Sequence, residues 1–284
     1  MGKHSYVLGL NTYDHDVSAC LLRDGEIAYA IAKERITREK HVSGFYREVI
    51  DYCLQAEGIA FGDIDLIVRN CYILPVEEME RRLAHQDMPG FMRERERIEA
   101  AGHPLYRSHA TNVVTISHHL AHAYSAFAAC PFDAGVVMVV DGVGSYGSDV
   151  TEPYPQSDQT SPLARESESY YRFEGSSLET LKKVWLEPGR GFLSDEFYNM
   201  PGLGALYSRA SSYIFGDWNK CGELMGLAPY GRPDSFEPLL DIAADGRLSV
   251  SDWTDDFKHP WLVDSGGKWE QSPSMRHWED LAWR

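Results

Sequence analysis

The chain is poor in cationic side chains. Lys and Arg number 27 against 43 Asp and Glu, a net charge of −16. That balance excludes a nucleic-acid backbone as a general partner and leaves an acidic surface. Cysteine is sparse and scattered: Cys20, Cys53, Cys71, Cys130 and Cys221 form no CxxC pair and are odd in number. Zinc-ribbon and thioredoxin-type motifs are therefore excluded, and the thiols read as reduced and mostly buried, as in a cytoplasmic protein. No apolar run approaches the roughly 20 residues of a membrane span. The first apolar stretch, 6–10, is too short for a signal peptide, so no membrane is expected among its partners. No internal repeat is found. What is present is a hydrophobic fraction of 43% and an aromatic fraction of 12%, enough for a real core, in 284 residues that suit one large or two modest domains.

Residues 6–10, 17–22 and 27–33 are short aliphatic and β-branched runs, read as three strands. Asp24-Gly25 between the second and third is a strong hairpin signal. Residues 45–57 carry helical apolar spacing, with Gly58 as the stop. Residues 64–68, 113–116 and 136–140 read as strands, the last of them buried, and 118–129 as a helix. A charged helical stretch is expected over 77–101. The order predicts a mixed α/β sheet flanked by helices. The segment 151–164, rich in Pro, Ser and Gln, is expected to be a mobile surface loop. Strand-like pieces follow at 170–173 and 181–186, then a helix at 203–215 and a glycine-rich element at 222–231. A last helix, from 275, reaches Arg284 without a cap or polar tail, which gives the expectation of a chain interrupted within an element.

The richest stretch is 117–147. His118 and His122 are four apart on the expected helix, so both imidazoles can reach one cation. Asp141 ends the following strand, where a carboxylate can supply a hard oxygen ligand. Gly142, Gly144 and Gly147 come next, and such loops let backbone N–H groups approach phosphate. The stretch thus predicts a metal site beside a nucleotide site. It is not a zinc-protease helix, because His119 stands where that motif requires its glutamate. The donor set suits iron, zinc or manganese alike.

Several ordered motifs carry a resemblance. They are Leu8-Gly9-Leu10-Asn11 with His15-Asp16 and Ser18-Ala19, then Asp24-Gly25-Glu26-Ile27. Glu34-Arg35-Ile36-Thr37-Arg38 with Lys40-His41 follows, then the histidine helix, Val139-Val140-Asp141-Gly142 with Gly144, and Met225-Gly226-Leu227-Ala228. Together they resemble the O-carbamoyltransferases that act on nodulation factors, cephamycins and aminoglycosides. The resemblance implies an actin-like (ASKHA) nucleotide-binding fold, with a first lobe over 1–130 and the start of a second over 131–284. It also implies a further YrdC-like domain, on the same polypeptide or a separate chain, that makes carbamoyladenylate from carbamoyl phosphate and ATP with Mg. The actin-like domain then passes the carbamoyl group to a hydroxyl of a small-molecule or sugar acceptor. By the same resemblance His118, His122 and Asp141 match ligands for Fe(II) or another divalent metal. His15 matches the histidine at the acceptor, and Lys40 the lysine on the carbamoyl nucleotide, with Asp16, Asp141, Gly142 and Gly144 at the substrate and nucleotide. An imidazole is the side chain best suited to take the hydroxyl proton near neutral pH. One departure stands out: Glu223 occupies a position where related sequences have lysine, which is expected to repel phosphate unless Lys220 supplies the charge. The alternative expectation is a non-catalytic or partner-dependent module that holds metal or nucleotide.

Overall fold

The computed structural model describes residues 3–11, 16–42, 46–70, 112–186, 202–217, 220–233, 235, 240–242, 244, 248–250 and 275–283. The expected helix at 77–101 lies outside them. The chain divides into two compact units, Met1–Pro131 with Asp149–Pro153, and Phe132–Ser148 with Tyr154–Arg284.

The first unit is built on a five-stranded mixed sheet in the order β3-β2-β1-β4-β5. Its strands are β1 (Tyr6–Asn11), β2 (Ser18–Arg23), β3 (Glu26–Ala32), β4 (Leu66–Arg69) and β5 (Val113–Thr115). The first three form an antiparallel meander, while β4 and β5 run parallel to β1. This is the mixed α/β sheet that the sequence predicts. The β2–β3 turn holds Asp24 and Gly25 at φ 54° and 88°, the paired left-handed conformation of a two-residue hairpin. Alternation along β1 and β2 sends Tyr6, Leu8, Leu10, Ala19 and Leu21 inward. Helix α2 (Arg47–Glu57) meets that core with Val49, Ile50, Cys53 and Leu54, a single helical face. Gly58 ends it at φ 76°, its N–H on the Leu54 carbonyl at 2.9 Å. A short helix that the sequence reading missed, α1 (Lys33–Thr37), leaves β3 directly. Beyond β5 comes α3 (His118–Ala128), started by Ser117 in extended backbone.

The second unit holds a three-stranded antiparallel sheet, β6 (Ala134–Val140), β7 (Arg165–Glu174) and β8 (Ser177–Leu186), in that order. The pieces expected at 170–173 and 181–186 are thus parts of one ten-residue-armed hairpin, turned at Gly175 with φ 56°. Strand β6 departs from the fully buried reading. Val137 and Val139 are buried, but Val136 and Met138 are each 62% exposed, because β6 has a strand on one side only within this sheet. Helices α4 (Leu203–Phe215), α5 (Cys221–Leu227) and α6 (Met275–Trp283) follow, with a small β9–β10 pair (Leu240–Ile242, Leu248–Val250). Ile214, Leu224, Trp278 and Leu281 form their shared core. The glycine-rich element at 222–231 is formed by most of helix α5 and a following 3-10 turn, Ala228–Tyr230. No helix among the described residues is long and apolar enough to cross a membrane.

Candidate functional site

Helix α3 owes its placement to its first residues. Ser117, buried at the N-cap, makes no side-chain cap bond. Its backbone N–H donates to Thr151 Oγ1 at 3.1 Å, and its hydroxyl donates to the Glu152 carboxylate. The start of the segment expected to be mobile is thereby fastened to the histidine helix. Farther along the same segment, in the second unit, the Trp185 indole donates to the Asp158 carbonyl at 2.7 Å, and the Lys183 backbone N–H donates to the Asp158 carboxylate at 2.9 Å. A proline- and serine-rich composition did not reveal these anchors, which depend on partners far away in sequence.

One turn into α3, His118 and His122 face one another with their Nε2 atoms 3.1 Å apart and their rings 4.6 Å between centroids. Two nitrogens bound to one first-row cation at about 2.1 Å each lie roughly 3.0–3.4 Å apart for ordinary ligand angles. The pair fits that interval, and it also fits an N–H···N bond between two neutral rings. His118 is buried and His122 exposed, so one ligand position is fixed by packing while the other opens outward.

Asp141 ends β6. Its N–H donates to the Ser167 carbonyl at 3.1 Å, and its Oδ1 accepts the Gly142 N–H at 2.7 Å. The loop that follows is templated on the first residues of β7. Gly144 N–H donates to the Glu166 carbonyl at 2.7 Å, Ser145 N–H to the Glu166 carboxylate at 3.0 Å, and Gly147 N–H to the Ala164 carbonyl at 2.7 Å. The Arg165 side chain returns a bond to the Gly144 carbonyl at 2.8 Å and lies over the Tyr146 ring, 4.3 Å from its centroid. These N–H groups are thus engaged within the protein, so an anion here would take over bonds that already exist. Glu166 is itself held by Lys183, Nζ to Oε1 at 2.5 Å, with both side chains fully buried. Lys183 also donates to Ser169 and Tyr171. Sequence reading did not find this pair, since two charged residues on neighbouring strands look like solvent-facing ones.

Glycine supplies a second missed element. At Gly204, in the first turn of α4, a Cβ would drive into the Asp141 carbonyl and the Gly142 nitrogen. At Gly202 it would meet the Ser167 hydroxyl at 2.5 Å. The Gly-x-Gly spacing at a helix start was the available signal for this close approach.

The remaining candidates lie in the first unit. His15 is outside the described residues. Lys40 is exposed on a turn after α1. Asp16, at φ 57°, bonds His41 Nδ1 at 3.1 Å and, through its carbonyl, accepts from Asn11 Nδ2 at 2.8 Å. In the second unit Glu223 is paired: Lys220 Nζ donates to its Oε1 at 2.9 Å, and both side chains are near half exposed. The acidic substitution therefore sits in a neutral pair in the first turn of α5, where the helix dipole favours a carboxylate.

The mixed sheet of the first unit and the histidine helix present a candidate metal pair. The family model for the carbamoyltransferase N-terminus matches residues 6–84 and 77–258, and the chain belongs to that family. It is 30% identical over 275 residues to the protein sll1178 of Synechocystis sp., covering 87% of this chain and 39% of that one. To the nodulation protein NolNO of Sinorhizobium fredii it is 28% identical over 249 residues, covering 84% and 32% respectively. The chain thus spans well under half the length of these curated relatives. Among solved structures, YeaZ from Pseudomonas aeruginosa aligns over 66% of this chain and 69% of its own, at 13% identity and a TM-score of 0.34.

Proposed function

We propose that the chain serves ATP-dependent O-carbamoyl transfer, from carbamoyl phosphate through carbamoyladenylate to a hydroxyl of a small-molecule or sugar acceptor. The observation that carries this reading is the family match across residues 6–258, within which the facing His118–His122 pair falls on a single helix. On this reading His118 and His122 hold a divalent metal, Fe(II) or another first-row ion, with Asp141 as the oxygen ligand. Bound there, the ion would polarise the carbamoyl carbonyl and offset developing negative charge. Lys40 provides a positive point charge for the nucleotide phosphate. Gly142 and Gly144 let backbone come close to it, and Asp16 shapes the adjoining turn. His15 takes the proton of the attacking hydroxyl as the new C–O bond forms and the bond from carbamoyl carbon to the nucleotide oxygen breaks. Formation of carbamoyladenylate is assigned to a YrdC-like domain, on the same polypeptide or a partner.

The test is carbamoyl transfer from carbamoyl phosphate and ATP in a preparation that supplies the YrdC-like domain, with H15A and H118A alongside. Both variants are expected to lose at least about a hundredfold in rate, the usual scale for losing a proton-transfer group. Full activity in both would sink the role assignment. A second reading, a metal- or nucleotide-holding module without turnover, is favoured by the neutralised Glu223–Lys220 pair. Stoichiometric metal binding with no carbamoyl transfer would establish it.

A further inference from the structure

A line of polar side chains crosses the carboxyl ends of the parallel strands β1 and β4. Asn70, just beyond β4, donates through Nδ2 to Asn11 Oδ1 at 2.7 Å. Asn11, the last residue of β1, donates through Nδ2 to the Asp16 carbonyl at 2.8 Å. Asp16 then meets His41, whose Nδ1 lies 3.1 Å from Oδ1 and 3.4 Å from Oδ2. A carboxylate only accepts, so His41 Nδ1 carries the hydrogen and donates. In open α/β sheets this carboxyl edge is where ligands bind.

The backbone along this line is bent against preference. Among the described residues, four non-glycine positions have positive φ: Asp24 in the β2–β3 turn, and Asp16, Arg38 and His41 at 57°, 64° and 52°. Arg38 is the left-handed C-cap of α1, its N–H on the Glu34 carbonyl, which leaves Asp16 and His41 as the two positions on this line that no helix end explains. Both partners of the Asp16–His41 bond are near two-fifths exposed. An exposed hydrogen-bonded pair returns less than two left-handed residues cost. Stability alone does not account for the arrangement, and strained backbone kept in one place marks a working site.

We propose that the Asp16–His41 bond is a latch that fixes the Lys40 turn against the end of β1, which makes His41 a positioning residue for the carbamoyl donor. The latch holds the turn from one side, and the Val17 N–H on the Val42 carbonyl at 3.4 Å holds it from the other. Asp16 directly follows His15, so the same bond sets the segment expected to reach the acceptor against the segment expected to reach the donor. The inference rests on the carbamoyltransferase reading for what Lys40 contacts, and on the structure alone for the latch.

The experiment compares His41→Asn, which keeps a side-chain N–H near the Nδ1 position, with His41→Leu, which removes it. His41 is exposed, so both variants should fold. Two quantities are measured: amide hydrogen exchange of the chain in peptides spanning Asp16–Val17 and Lys40–Val42, and carbamoyl transfer, with kcat and KM for carbamoyl phosphate, in the preparation that supplies the YrdC-like domain. His41→Leu is expected to speed exchange in both peptides about tenfold, and to lower kcat/KM by about a hundredfold through misplacement of the donor. His41→Asn should stay within about threefold of the wild type in both measurements. Unchanged exchange in His41→Leu overturns the latch. Equal loss of transfer in both variants overturns the positioning role in favour of direct chemistry by the imidazole. A wild-type chain that transfers no carbamoyl group even with the YrdC-like domain supplied defeats the functional reading instead, and the exchange measurement still decides the latch.

Discussion

Removing Lys183 while leaving Glu166 in place puts the second unit's architecture to its hardest test. Both side chains are fully buried, and the Nζ serves Glu166 at 2.5 Å, Ser169 Oγ at 3.3 Å and Tyr171 OH at 3.2 Å. In Lys183→Met the Glu166 carboxylate would lose its counter-charge and keep the Ser145 N–H. Breaking a buried pair from one side costs about 3–5 kcal/mol, because a charge is left in a medium that cannot solvate it. At roughly 2–4 °C per kcal/mol for a unit of this size, the melting midpoint should fall by about 6–20 °C. The double variant Glu166→Gln/Lys183→Met removes both charges of this pair, and its amide oxygen can still accept from Ser145. It should therefore lie within about 1.5 kcal/mol of the wild type, or be more stable. Urea unfolding, followed by the intrinsic fluorescence of Trp185 and its neighbours, gives both numbers. The reasoning fails if the single variant loses less than about 1 kcal/mol, or if the double variant is damaged as badly as the single one.

Three further outcomes are expected. Gly204→Ala pushes a methyl into the Asp141 carbonyl, so α4 must shift; urea unfolding should show a loss of about 2–3 kcal/mol, the upper range for overpacking against unyielding atoms, and a neutral result would contradict the close approach. The hydrogen bonds from Arg232 hold the Asp280 carboxyl down at about 2, against the opposing pull of burial. Because that folded value lies below the ordinary aspartate value near 4, the contribution is full above about pH 4 and vanishes as pH falls toward 2. Fluorescence of buried Trp278 should report this acid transition, and Asp280→Asn should flatten it. Burial pushes the Cys53 thiol up to about 11, so iodoacetamide at pH 8 should spare Cys53 in the folded chain and label it after denaturation.

What could be read in advance was whatever depends on neighbours in sequence. The Asp24-Gly25 turn announces itself because few residues accept two successive left-handed conformations, and α2 because its apolar positions fall on one face. The His118–His122 pair was legible for the same reason, as helical periodicity alone brings the two rings together. The features that escaped are set by distant partners. The first half of β7 turns Glu166, Ser167 and Ser169 inward, reversing the polarity that marks a strand's buried side. A Cβ at Gly222 or Gly226, in the glycine-rich element that folds as α5, would meet nothing within 4 Å among the described residues. Gly204, by contrast, is required by a backbone more than sixty positions away in sequence.

Strand β6 carries a liability of its own. It closes one side of its sheet, and Val136, Met138 and Val140 point outward from it, with Phe132 69% exposed just before. Among the described residues no strand pairs with its outer edge, and an uncovered apolar edge is a template for pairing. Charged substitutions at Val136 and Met138 would then act as solubilising gatekeepers, separating the handling of the protein from its chemistry.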